Sequence, residues 1–106
     1  MKLKNLVYVT DSTIHGRGAF AQQTIKKNQY IGRYSGPRAK RNGKYVLWIT
    51  EEDGTEYGIR GQNRLRYLNH SFKPNAYFEG EDLYALKRIR ADEEITFDYV
   101  WDKDDV

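Results

Sequence analysis

Two short segments carry side chains able to line one polar site. They are Arg66-Tyr67-Leu68-Asn69-His70-Ser71-Phe72-Lys73-Pro74-Asn75 and Glu93-Glu94-Ile95-Thr96-Phe97-Asp98-Tyr99. In the first, the Asn69 amide and the His70 imidazole offer donors and acceptors in a stretch bounded by apolar Leu68 and Phe72. Taken alone, Asn69-His70-Ser71 reads more plainly as a turn capped by its own Asn and Ser side chains. Tyr99 likewise reads alone as the inward end of an amphipathic strand, and it is one of nine tyrosines. A third segment, His15-Gly16-Arg17-Gly18, sets two glycines around a cation, which lets backbone groups approach a ligand closely. It lacks the third glycine and the long following helix of a dinucleotide fingerprint, so by itself it is a turn.

The elements that must position these residues are short strands. Leu6 to Thr10 mixes aromatic and β-branched residues and ends at Asp11-Ser12, which predicts a strand and a turn. Further strands are expected from Ala19 to Ala21 and from Gln29 to Tyr34, the latter ended by Gly36-Pro37. Arg38 to Lys44 reads as a loop. Tyr45 to Thr50 and Thr55 to Ile59 form a hairpin around Glu51-Glu52-Asp53-Gly54. Arg64 to Leu68 is a short helical turn, and Ala76 to Phe78 with Leu83 to Leu86 make a second hairpin. From Glu94 to Tyr99 the alternation places Ile95, Phe97 and Tyr99 on one side, against Thr96 and Asp98. The fold class is mainly β, with little helix and no internal repeat.

With 106 residues the chain is one domain, residues 1-106, with a modest core. Its 39% apolar and 31% charged residues describe a globular chain rather than a disordered one. No apolar run approaches the roughly 20 residues of a membrane span, and Met1 to Asn5 lacks the apolar centre of a secretory signal. The expected setting is cytoplasmic, nuclear or nucleoid-associated, and not secreted. There is no cysteine, which removes disulfides and Cys-based zinc clusters, and no metal site is expected. Net charge is +3, with Arg33, Arg38, Lys40, Arg41 and Lys44 close together in sequence. That cluster is a solvated face or a patch for nucleic acid or an acidic partner.

Together with Arg33-Tyr34-Ser35-Gly36, the segments His15 to Ala21, Arg66 to Asn75 and Glu93 to Tyr99 resemble the SET domain, in the family's order and over nearly the whole chain. The resemblance implies several small curved sheets, with a knot-like crossing that brings the Asn69-His70 and Tyr99 segments together. It implies an S-adenosylmethionine-dependent protein-lysine methyltransferase, here a free-standing minimal SET protein without cysteine-rich flanking segments. By this resemblance Arg17, Gly18, Asn69 and His70 contact the cofactor; Trp101, in the short tail, is expected either to close over its adenine in place of a missing C-terminal segment or to be an exposed aromatic or a dimer contact. Tyr99 and Tyr34 are the catalytic residues, and Tyr34 and Phe97 wall the substrate-lysine channel.

The chemistry so implied is direct displacement, in which a neutral lysine amine attacks a sulfonium methyl in line. The protein supplies alignment, dryness and a setting that favours the neutral amine. Phenylalanine rather than tyrosine at position 97 implies room for di- or trimethylation. The expected partner is a histone tail or another basic protein, bound as an extended strand, and a homodimer could complete the groove. Two departures bear on that groove. The acidic residues that flank the family's Tyr-x-Gly are replaced by Arg33 and Pro37, and Asp92 stands where a turn glycine is usual. Two other classes stay open: a SET-like module that binds peptide or cofactor without turnover, and a small basic nucleic-acid-binding domain.

Overall fold

The computed structural model describes residues 5–98. Ten strands run in the order β1 (Val7–Asp11), β2 (Arg17–Ala21), β3 (Tyr30–Arg33), β4 (Arg38–Ala39), β5 (Val46–Thr50), β6 (Glu56–Arg60), β7 (Asn69–His70), β8 (Ala76–Glu79), β9 (Asp82–Ala85) and β10 (Thr96–Phe97). A single 3-10 turn, Arg64–Tyr67, precedes β7. The mainly β expectation holds, and most strand positions match to within a residue or two.

The strands form four small sheets: β1-β2, β4-β6-β5, β3-β9-β8 and the parallel pair β7-β10. In that pair Asn69 lies beside Thr96 and His70 beside Phe97, and the Ser71 amide continues it onto the Phe97 carbonyl at 3.0 Å. Parallel neighbours need a long connection, and here the β8-β9 hairpin and the Arg90–Glu93 turn supply it.

Two sequence expectations are corrected. The loop expected from Arg38 to Lys44 contains β4, whose two residues pair with Ile59 and Gly58. Propensity is weak in so short a piece, and its strand character comes from the neighbour. The alternation expected around β10 also fails, because Ile95, Thr96 and Phe97 are all buried. β10 runs through the interior and is covered on both faces, so it has no solvent side to mark.

The core gathers apolar side chains from all the sheets, with Ile25, Leu83, Ile89 and Ile95 fully enclosed. Asn75, the last residue of the first motif, is a buried polar member. Its Nδ2 donates to the Glu94 carbonyl and its Oδ1 accepts from the Thr96 amide, each at 2.8 Å. It therefore satisfies backbone groups of a segment 20 residues away that has no ladder partner on that side. Asp92 keeps the turn that a glycine would make, with φ of 68°, a left-handed conformation that Asp tolerates better than most residues.

Candidate active site

The β7-β10 pair puts the two sequence motifs side by side, and the loop before β2 comes to meet them. Asn69 Nδ2 lies 3.1 Å from the His15 carbonyl, 3.2 Å from the Arg17 carbonyl and 2.8 Å from Glu94 Oε2. Three acceptors around one nitrogen settle which end of the amide faces the loop. Nδ2 carries only two hydrogens, so the acceptors outnumber its donors. Asn69 Oδ1 accepts no hydrogen bond among the described residues. This acceptor-rich corner, two carbonyls with a carboxylate, suits a cationic ligand group such as an ammonium.

Glu94 holds the corner together and was missed from the sequence, where it only opens the strand expected from Glu94 to Tyr99. Ser12 Oγ donates to its carboxylate at 2.7 and 2.9 Å and accepts from the Ile14 amide at 2.9 Å. A side-chain carbon at Gly18 would collide with the same carboxylate. Glycine at 18 thus leaves room for the Glu94 carboxylate. The two carboxylate oxygens tie the Ser12–Gly16 loop to β7, which makes Glu94 a positioning residue for both. The signal that could have revealed it is the pairing of β2 with the 93–95 segment, where Ile95 donates to Ala19 and Ala21 to Glu93.

His70 sits at the rim. Its ring is 4.7 Å from that of Phe72 at an 88° edge-on angle, and Nδ1 is 3.6 Å from Asp98 Oδ1. Phe72 is 83% exposed, an apolar surface beside the imidazole with nothing over it among the described residues. Arg17 begins β2 opposite Asp11 with its side chain in solvent, and its carbonyl rather than its guanidinium faces Asn69.

Tyr34 and Phe97 come together through Phe78. The Tyr34 and Phe78 rings are 5.9 Å apart and the Phe78 and Phe97 rings 5.3 Å, both edge-on, a favoured arrangement for aromatic pairs. Tyr34 and Phe97 are 6% and 7% exposed. The Tyr34 hydroxyl donates to the Tyr45 carbonyl at 2.6 Å, and Gly61 leaves the room that its ring needs. Beside Tyr34, whose amide donates to the Glu81 carbonyl, the Glu81 carboxylate pairs with Arg33 at 2.9 Å and accepts from Tyr57 at 3.2 Å. Tyr99 and Trp101 lie outside the described residues. A cavity of about 760 Å³ lined by Asn5, Tyr8, Val9, Gln22, Gln23 and Arg64 shares no residue with this site.

The SET domain profile matches residues 16–100. Among curated proteins, the chain is 29% identical to the histone-lysine N-methyltransferase MEDEA of Arabidopsis thaliana, over 90% of this chain and 17% of MEDEA. It is 31% identical to histone-lysine N-methyltransferase 2B of Homo sapiens, over 91% of this chain and 4% of that protein. The chain therefore spans a small part of the curated relatives it matches. Among solved structures, it superposes on a Plasmodium falciparum protein proposed to be a histone methyltransferase with a TM-score of 0.72 at 23% identity, covering 94% of this chain and 97% of that one. It superposes on the methyltransferase domain of human histone-lysine N-methyltransferase SETMAR with a TM-score of 0.75 at 23% identity, covering 92% of this chain and 45% of that one. The motif order, the parallel meeting of β7 with β10 and the profile match agree: this chain belongs to the SET domain family.

Proposed function

We propose that the protein transfers methyl groups from S-adenosylmethionine to the ε-amine of a lysine in a histone or another basic protein. The observation that carries this reading is the acceptor-rich corner formed where β7 and β10 lie parallel. Two carbonyls and the Glu94 carboxylate converge there on Asn69 Nδ2, beside an aromatic rim of His70 and Phe72. The cofactor carries an ammonium and a flat purine, and the residues present fit both. The corner would hold the ammonium, and His70 with Phe72 would flank the purine.

When bound, S-adenosylmethionine supplies an electrophilic methyl carbon, which the neutral lysine amine takes as the carbon–sulfur bond breaks. The chain's own residues align that attack. Tyr34 and Phe97 are buried, with Phe78 half-buried between them, and desolvation favours the neutral amine over the ammonium. Ring faces at the channel mouth still attract the incoming cation. Tyr34 acts through its ring, since its hydroxyl is engaged by the Tyr45 carbonyl. Tyr99 orients the amine rather than removing its proton, because a phenol titrates near pH 10. The released proton goes to water.

The relatives named above are histone-lysine methyltransferases, which supports a histone or similarly basic substrate and a nuclear setting. A second copy of the chain is the proposed completion of the groove, and light scattering showing only monomer would remove it. The deciding experiment follows labelled methyl from S-adenosylmethionine onto histones and lysine-rich proteins, with wild type beside Tyr99→Phe. Labelling that disappears in the variant supports the enzyme. Cofactor binding by both proteins without transfer to any substrate replaces it with a non-catalytic module.

A further inference from the structure

We infer that the outer face of the β3-β9-β8 sheet, with the cationic loops at its end, binds single-stranded nucleic acid. This is independent of methyl transfer and uses none of its residues. The register sets Tyr30 opposite Tyr84 and Tyr84 opposite Tyr77, one tyrosine from each strand in a row across the sheet. The Tyr30 and Tyr84 rings are 5.5 Å apart and edge-on at 64°, and the Tyr84 and Tyr77 rings are 5.8 Å apart and stacked at 25°. Alternate positions on the same strands, Ala76, Leu83 and Ala85, are fully buried, so the tyrosines stand on the opposite, solvent-facing side. Tyr30 is 47% exposed.

Beyond the tyrosines the strands run on into two loops held against each other. Asn28 donates to Ala85, and the Ile25–Ile89 bridge closes the far end. Lys26 and Lys27 lie on one side of this frame and Lys87 and Arg88 on the other. Lys73 stands two residues before Asn75, whose carbonyl accepts from Leu86. All five cations are exposed, and no carboxylate among the described residues is within ion-pair distance of any of them. They come from three separate stretches of the chain, and only the fold collects them.

The cations point to a polyanion, and the tyrosine row narrows the choice. Every base offers a flat face that can stack on the exposed Tyr30 ring beside Tyr84, whereas an acidic peptide would use the cations alone. A duplex keeps its bases stacked inside, out of reach of a sheet surface. The sequence-local cluster from Arg33 to Lys44 is a weaker candidate. Arg33 is paired with Glu81, Arg38 lies 3.8 Å above the Tyr57 ring, and Lys44 is over Tyr45.

The test is fluorescence anisotropy of a labelled single-stranded oligonucleotide of about 16 nucleotides, within the range one small domain covers, titrated at several salt concentrations. Wild type should bind with a log–log salt slope of about −2 to −3.5, as expected for three to five phosphates on a single strand. Lys87→Glu/Arg88→Glu, at exposed positions, should weaken binding at least tenfold and flatten the slope. Tyr84→Leu, which keeps the apolar area and is checked by its melting curve, should weaken binding several-fold at an unchanged slope. Lys40→Glu/Arg41→Glu should change little. Absence of binding, an equal loss in the Lys40/Arg41 variant, or tighter capture of duplex or of a polyglutamate peptide would each overturn the inference.

Discussion

Asn69 Nδ2 and Glu94 Oε2 are 2.8 Å apart, joining two residues from the two motifs that define the site. Glu94 also binds Ser12, so one carboxylate fixes both the loop and the amide. Hydrogen bonds to a charged group contribute about 1.5–3 kcal/mol each. Glu94→Gln keeps the shape and loses the charge, and it is expected to weaken S-adenosylmethionine binding about tenfold by calorimetry. Glu94→Ala should cost more, because it leaves Ser12 and Asn69 without their partner. Unchanged affinity in both variants would show that the loop holds itself.

Asn75 should behave as a structural residue. Its buried amide satisfies Glu94 and Thr96 at 2.8 Å each. Asn75→Ala strands both backbone groups, at a cost of about 2–4 kcal/mol. A domain of this size loses about 4–8 °C of melting temperature per kcal/mol. A thermal melt showing less than a few degrees of change would place water in the amide's role.

Gly61 is expected to accept no side chain. Its neighbour is the buried Tyr34 ring, which is held by the Tyr45 carbonyl and by Phe78. Overpacking of this kind costs about 1–3 kcal/mol. Gly61→Ala should therefore lower the melting temperature and, on the proposed function, reduce methyl transfer by displacing Tyr34. A stable and fully active variant would show that the ring has room to shift.

Phe97 sets the volume at the inner end of the aromatic row in the proposed channel. Wild type should produce di- or trimethyl-lysine, and Phe97→Tyr should shift the product toward monomethyl by adding a hydroxyl there. Mass spectrometry of a substrate peptide at saturating enzyme reads both. Monomethyl product from wild type would remove Phe97 from this role.

Three tyrosines link stability to alkaline pH. The Tyr8 hydroxyl is raised above its usual value near 10, first by its hydrogen bond to Asp92. Tyr30 and Tyr57 are raised first by burial, and then by Asp82 and Glu81. A folded pKa above the unfolded one means that the stabilisation is complete below pH 10 and is lost as pH rises through the folded value. The melting temperature should fall above pH 10. Tyr8→Phe should flatten part of that fall while leaving the curve near neutrality little changed.

What the sequence by itself determined lies in runs whose meaning is local. β-branched and aromatic stretches such as Val46–Thr50 located the strands, and Asn69-His70 with Thr96-Phe97-Asp98 announced the family, because side-chain preference and motif identity need no distant partner. Tertiary structure alone decided which residues those motifs lean on. Glu94 reads as the first residue of a strand, with no partner named, until β2 lies beside it. Thr96 reads as a solvent-facing position until Asn75 covers its strand. Lys26, Lys73 and Arg88 are scattered until two loops close against each other. In each case the deciding contact joins residues more than ten apart in the chain. Contacts of that range depend on how the whole chain closes, not on the preference of any one segment.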